Sequence, residues 1–401
     1  MSSQTPGSAA ISGMADAANN LQLQVKSFIS QTDNTTLVHI IGTTLVLFIA
    51  GCIAYYVYYK MTLLPKSCRR LNGKKSAALN SSWITTASAD PSSQFLLRDY
   101  YVKTAYNCCS TGNFSNDYVS VCALQHAIKM GCRCLDFEVY GKNKKAIIST
   151  SLSDDKCIKE TYNSVSFDEA MSAVASSAFH PSSNVCPNPN DPLLLLFRIK
   201  TNDVDVLDDM ADIIKSKLHD RLIPEYKHEF GGKNICAEPI NKFVGVEGGK
   251  VVIIVESNPL LYQPDAERMH EITNLTSKAF LRILTVFDVL NSPDITELTS
   301  FNKQYMTIVL PVPSMSAENY DPMAPSLAGC QCMALSFQLL RDGNLAVYND
   351  WFESGPMKSA FLLKPKDLMF VPQTIQAPTP QDPKLSFASR PLQSNMYSFT
   401  I

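Results

Sequence analysis

Two short runs, PLLLLFRI at Pro192–Ile199 and KVVIIVE at Lys250–Glu256, constrain the fold of this chain most. A strand with one wet face shows a polar residue at every second position. Neither run does, so both faces are covered, as in a parallel sheet flanked by helices. Between such runs the apolar spacing turns helical. Asp117 to Met130 places Tyr118, Val121, Leu124 and Ile128 on one side and stops at Gly131. Ser166-x-x-Glu169 forms a capping box before Phe167, Ala170, Met171 and Val174. A third helix carries Leu207, Met210, Ala211, Ile214 and Leu218. Strands alternating with amphipathic helices predict an α/β fold, either a parallel barrel or a doubly wound sheet. The chain has no GxGxxG and no GxxxxGK[ST], which weakens the nucleotide-binding alternative.

A different constraint lies upstream. Leu37 to Tyr59 contains no formally charged residue, and as a helix it is long enough to cross a hydrocarbon core of roughly 30 Å. Tyr55, Tyr56, Tyr58 and Tyr59 gather at its end like an interfacial belt. The stretch lies too far in, with too few cations before it, for an ordinary cleaved signal peptide. Lys60, Lys66, Arg69, Arg70, Lys74 and Lys75 follow it, whereas Lys26 alone precedes it in the preceding thirty residues. The positive-inside rule therefore predicts a single-pass membrane protein with a cytosolic C-terminal domain and the lipid membrane as partner. Lys66, Arg69, Arg70, Lys74 and Lys75 are candidate contacts for anionic phospholipid headgroups, with a bare topology signal as the alternative. Of the sequons at Asn34, Asn80, Asn113 and Asn274, at most the first would then be used.

The organisation expected is a mobile polar N-terminus (1–36), a transmembrane helix (37–59), a basic, Ser-rich linker (60–98), a globular body to 372 and a Pro-rich extended tail (373–401). A net charge of −2 with no basic stripe in the body disfavours nucleic acid as a partner. Twelve cysteines in 401 residues are not a disulfide scaffold. Cys108 with Cys109, Cys132 with Cys134, and Cys330 with Cys332 lack the CxxC or His partners of a zinc site, so packed, reduced thiols are expected.

GCRCLDFEVY, Gly131–Tyr140, carries the chemistry. As a strand it turns Cys132, Cys134, Asp136 and Glu138 one way and Arg133, Leu135 and Phe137 the other. Two acids on one covered face require a cation, either a metal ion or a basic side chain.

Together with YYVKTAYNCC, AIKMGCRCLDFEVY, ENYDPMAPSLAGCQCMALSFQ and NDWFESGPMKSAFLLKP, these runs resemble the phosphoinositide-specific phospholipase C family. The resemblance implies a TIM-type (β/α) barrel of the PLC-like phosphodiesterase kind, with an X-like first half at 99–256 and a Y-like second half at 257–372. It also implies two catalytic histidines, a calcium ion held by an Asn and carboxylates, and basic residues gripping the ring phosphates. Residue by residue, the histidine positions fall on Tyr106 and Thr150. The metal-site positions fall on Asn107, Asp136, Glu138 and Arg198, and the phosphate-binding positions on Ile254, Glu256 and Thr307. Arg198 would repel a divalent ion and pair with the two acids instead. The expectation is a membrane-anchored barrel that has lost catalysis, holds no metal or other cofactor, and serves as a binding, scaffold or structural protein. Its partners would be anionic phospholipids or another membrane or structural protein. The alternative is an active phosphoinositide phosphodiesterase, calcium-dependent or atypical. Lys364 is expected to close the barrel, and Trp351 and Phe352 to be core or rim aromatics.

Overall fold

A computed structural model describes the chain apart from residues 1–18, 28–29, 31–33, 78, 80–94, 154–157, 181–185, 227–232, 246–247, 257–266, 355–357, 373–390 and 401. The strands of the barrel and its hairpin are β1 (Tyr100–Ala105), β2 (Cys134–Lys142), β3 (Lys145–Ile148), β4 (Leu193–Ile199), β5 (Val251–Val255), β6 (Leu275–Thr276), β7 (Leu281–Thr285), β8 (Met306–Leu310) and β9 (Cys332–Leu335), and the short strand Val165–Ser166 pairs with β3. In space they run β6-β5-β4-β2-β1-β9-β8-β7, each parallel to its neighbour, while β3 folds back on β2 as an antiparallel hairpin. A single bridge from Thr276 to Phe280 links the two ends, so the sheet is a nearly closed parallel barrel. β10 (Phe361–Leu363) pairs antiparallel with β1.

The two apolar runs are β4 and β5, and their lack of alternation has a direct cause. Leu194, Leu196, Val252 and Ile254 fill the barrel together with Ile308, Cys332 and Ala334. Leu193, Leu195, Phe197, Val251, Ile253 and Val255 lie in a second core under the surrounding helices. The helices are α1 (Asn34–Asn72), α2 (Val121–Lys129), α3 (Phe167–Ala178), α4 (Val204–Leu218), α5 (Glu267–Ile272), α6 (Val286–Leu290), α7 (Ile295–Gln304), α8 (Met323–Leu327) and α9 (Gly343–Glu353). Ser166 Oγ accepts the Glu169 N–H and starts α3, and Asp203 caps α4.

Several expectations are corrected. α2 begins at Val121, four residues after Asp117, because Ser120 caps it and the Asp117 carboxylate accepts the Asn113 and Tyr118 N–H groups in the preceding loop. It ends where Gly131 takes φ +79°; a Cβ there would sit 2.2 Å from Leu79 Cδ1. Cys132 precedes β2 and packs in the outer core with Leu135, off the Cys134 face. The N-terminal segment is helical at residues 19–27, while residues 1–18 lie outside those described. The hairpin of β11 (Pro391–Gln393) and β12 (Ser398–Thr400) replaces an extended end to the tail, with Leu392 opposite Phe399.

The largest correction concerns the linker. α1 is one helix of 39 residues, about 58 Å long, and passes through residues 60–72, with Pro65 inside it. Its apolar half is exposed and is long and apolar enough to cross a membrane. Its last turns pack on the barrel instead. Leu71 is buried against Cys122 and Ala123 on α2. Cys68 and Cys122 form a disulfide with Cα atoms 5.6 Å apart, so these two are not reduced thiols. Cys108, Cys109, Cys132, Cys134, Cys186, Cys236, Cys330 and Cys332 are free and buried.

Lys364 follows β10 at the N-terminal end of the barrel, 3 % exposed, donating to the Asn302 carbonyl at 3.0 Å. Burial pulls its pKa down to about 7, although Asp99 pulls the other way. The folded state therefore binds fewer protons than the unfolded state above that pH, and stability rises with pH. Denaturant melts at pH 7 and 8.5 should differ by on the order of 1–2 kcal/mol, and Lys364→Met should flatten the slope. An unchanged slope in the variant would remove Lys364 as its cause.

Candidate functional site

At the C-terminal mouth of the barrel, β1 runs into Tyr106 and Asn107, β2 presents Asp136, Glu138 and Tyr140, and β4 presents Arg198. The parallel register sets Glu138 beside Arg198 and Asp136 beside Leu196. Strand alternation therefore points both acids and the guanidinium into the barrel, on the face of Leu194 and Leu196.

Arg198 is the hub. Its Nε donates to Asp136 Oδ1 at 2.7 Å and its Nη2 to Asp136 Oδ2 at 2.8 Å, a bidentate pair. Nη1 donates to Glu138 Oε1 at 2.8 Å, and Nη2 also reaches Asn107 Oδ1 at 3.1 Å. Asn107 adopts φ +40°, a conformation that Asn tolerates better than most residues. That turn lets its backbone N–H donate to Asp136 Oδ2 at 2.9 Å and its Nδ2 to Glu138 Oε1 at 3.2 Å. Glu138 Oε2 accepts Tyr140 Oη at 2.9 Å and the Ser151 N–H at 3.1 Å. The Tyr106 ring covers the guanidinium, 4.9 Å from centroid to Cζ, and meets Phe114 edge-on. Asp136, Glu138, Arg198, Asn107 and Tyr106 are all buried.

Burial opposes the Arg198 charge, but Asp136, Tyr106 and Glu138 outweigh it and hold the group protonated well above its usual range. Burial also pushes the Tyr106 phenol up, with Arg198 offsetting only part of the effect, so the phenol keeps its proton at neutral pH. Thr150 is buried and donates to the Phe114 carbonyl at 2.8 Å. As arranged, the inward carboxylate oxygens are all engaged, and the group between them is a fixed cation.

The other positions lie apart from this network. Ile254 is level with Leu196 but belongs to the barrel's apolar filling. Glu256 follows β5, half-buried, its N–H bonded to the Phe197 carbonyl. Thr307 is the second residue of β8, at the opposite end of the barrel, bonded to Gln331 Oε1 and Asn302 Oδ1. Lys66, Arg69, Arg70, Lys74 and Lys75 are exposed on and just beyond the end of α1. Two partners went unnoticed in the sequence. Tyr140 shares the parity of Asp136 and Glu138, a signal that identifies it; the Ser151 N–H leaves no such mark.

Residues 94–242 match the model of the phosphatidylinositol-specific phospholipase C X domain. Over that stretch the chain is similar to this phospholipase C family. Its fold agrees with that of two crystal structures. PLC21 of S. officinalis superposes with a TM-score of 0.56 at 20% identity, over 70% of this chain and 38% of that one. PLC21 of L. pealei gives 0.55 at 21%, over 69% and 38%. The chain thus spans well under half the length of these phospholipases. No curated protein sequence matches it.

Proposed function

We propose that this phospholipase C-like barrel has exchanged a metal-dependent phosphodiesterase centre for an internal ion-pair network. It then serves as a non-catalytic binding, scaffold or structural protein held at a membrane by α1. The observation that carries this reading is the Arg198 guanidinium, bonded at once to Asp136, Glu138 and Asn107. The calcium implied by the family does not fit this set of residues. Calcium takes six to eight oxygens at roughly 2.3–2.6 Å, and here the available oxygens already accept from Arg198, Asn107, Tyr140 and Ser151. Acid–base chemistry is equally unsupported. Losing one general acid or base costs about two to four powers of ten in rate, and the family resemblance implies Tyr106 and Thr150 at the positions of both histidines. The exposed apolar half of α1 supports a membrane as partner, and the cations after it support a cytosolic barrel.

The test is direct. The purified chain should not hydrolyse phosphatidylinositol with or without calcium, and calorimetry should register no micromolar calcium binding. Turnover that disappears in Asp136→Asn would establish the chain as an active phosphodiesterase instead.

A further inference from the structure

The end of α1 does more than reach the barrel; it walls off a cavity of about 590 Å³ against the loops after β1 and β9 and the start of α9. Three cations face it, Arg70 and Lys74 from the juxtamembrane segment and Arg341 from the barrel. None of their side chains makes an ion pair or hydrogen bond among the described residues. The acid in the lining, Asp342, is committed as the cap of α9, accepting the Leu345 N–H at 2.8 Å. The wall is therefore positive, and the N-terminal end of an eleven-residue helix adds to it.

A smaller chamber of about 140 Å³ opens beside it, sharing Lys74, Leu340 and Asp342. Its lining holds two buried polar atoms without a partner, His126 Nδ1 and Asn349 Oδ1. His126 is 3 % exposed, its ring lies against the backbone of Phe337 and Leu71, and its other nitrogen, Nε2, is not among the unpartnered buried atoms. With the proton on that nitrogen, Nδ1 is a bare acceptor, as is Asn349 Oδ1. Buried acceptors left unpaired are costly, so this chamber is built for a group that donates.

We propose that this two-chambered cavity binds a phosphomonoester carrying hydroxyl donors. The phosphate lies among Arg70, Lys74 and Arg341, and a hydroxyl reaches His126 Nδ1 and Asn349 Oδ1. The site is separate from the Asp136–Arg198 network and does not depend on whether that network is catalytic. A free sugar- or polyol-phosphate and a phosphorylated lipid headgroup share this chemistry. Arg70 lies eleven residues past Tyr59, about 16 Å along the helix, which sets how far a headgroup would have to extend.

The test uses the full chain in phosphatidylcholine nanodiscs and measures binding of radiolabelled glycerol 3-phosphate. Binding should fall at least tenfold in Lys74→Ala/Arg341→Ala, two exposed sites whose change leaves the fold intact. Asn349→Leu should reduce glycerol 3-phosphate to the affinity of inorganic phosphate. Displacement of the label by phosphatidylinositol phosphate in the disc would support the site and name the headgroup as its source. Retention of the label would support it with the free ester as source. No binding of either probe, or binding unchanged in the double variant, would overturn the proposal.

Discussion

Arg198→Met should be the most damaging single substitution at the barrel mouth. The wild-type guanidinium satisfies two carboxylates that are 0 % and 3 % exposed. Removing one partner of a buried ion pair strands the other charge and costs about 3–5 kcal/mol. In a barrel of this size the thermal midpoint should drop by roughly 10 °C. The cost comes from the stranded charges rather than from the lost contact. Adding Asp136→Asn and Glu138→Gln to Arg198→Met should therefore restore most of the loss, since apolar or neutral replacements of whole buried networks are often tolerated. A loss under 1 kcal/mol for the single variant would mean that water or another cation reaches the acids, and the ion-pair account would fail.

The second large effect lies at the Cys68–Cys122 disulfide, whose ends are 54 residues apart. Closing a loop of that length removes unfolded-state entropy worth about 4 kcal/mol on the chain-entropy model. Cys68→Ser should lower the unfolding free energy of the barrel by a comparable amount. It should also expose the end of α1 to protease, because Leu71 and the Cys122–Ala123 patch are otherwise a small apolar contact. Reductant should reproduce both effects in the wild type and neither in the variant. The pair also bears on compartment. Disulfides persist in oxidising compartments, whereas the positive-inside rule, applied to the cations after Tyr59, predicts the reducing cytosol for the barrel. Alkylating thiols in intact cells, then reducing and labelling, separates the two. A pair found fully oxidised there would reverse the cytosolic assignment.

The parts of this molecule written in local spacing were legible in the sequence. Five apolar residues in a row in β4 signalled two covered faces, strand parity put Asp136 and Glu138 on one face of β2, and the family resemblance set Arg198 against them. Parity fails at Cys132 because it presumes a strand that has already begun, and β2 begins at Cys134. The continuation of α1 was hidden by Pro65, which usually ends a helix. What outweighs it is tertiary: Leu64, Ser67, Cys68 and Leu71 recur at helical spacing and are half-buried or buried at the barrel. The partnership of Cys68 and Cys122 has no local trace at all, and the same is true of the Ser151 N–H on Glu138. Both depend on segments that meet only when the barrel closes.

The unbroken α1 has a mechanical consequence. Just past the apolar segment, Lys60 donates to the Asn116 carbonyl at 3.0 Å and sits over the Tyr162 ring, both in loops at the barrel mouth. A few turns later the cystine clamps the same helix to α2. Two fastenings on one stiff rod leave the barrel no swivel. In a membrane-anchored chain it could not sample the surface as a tethered ball would. It would stand at a fixed height with its mouth turned to the bilayer, and any tug on the barrel would pass undamped into the lipid.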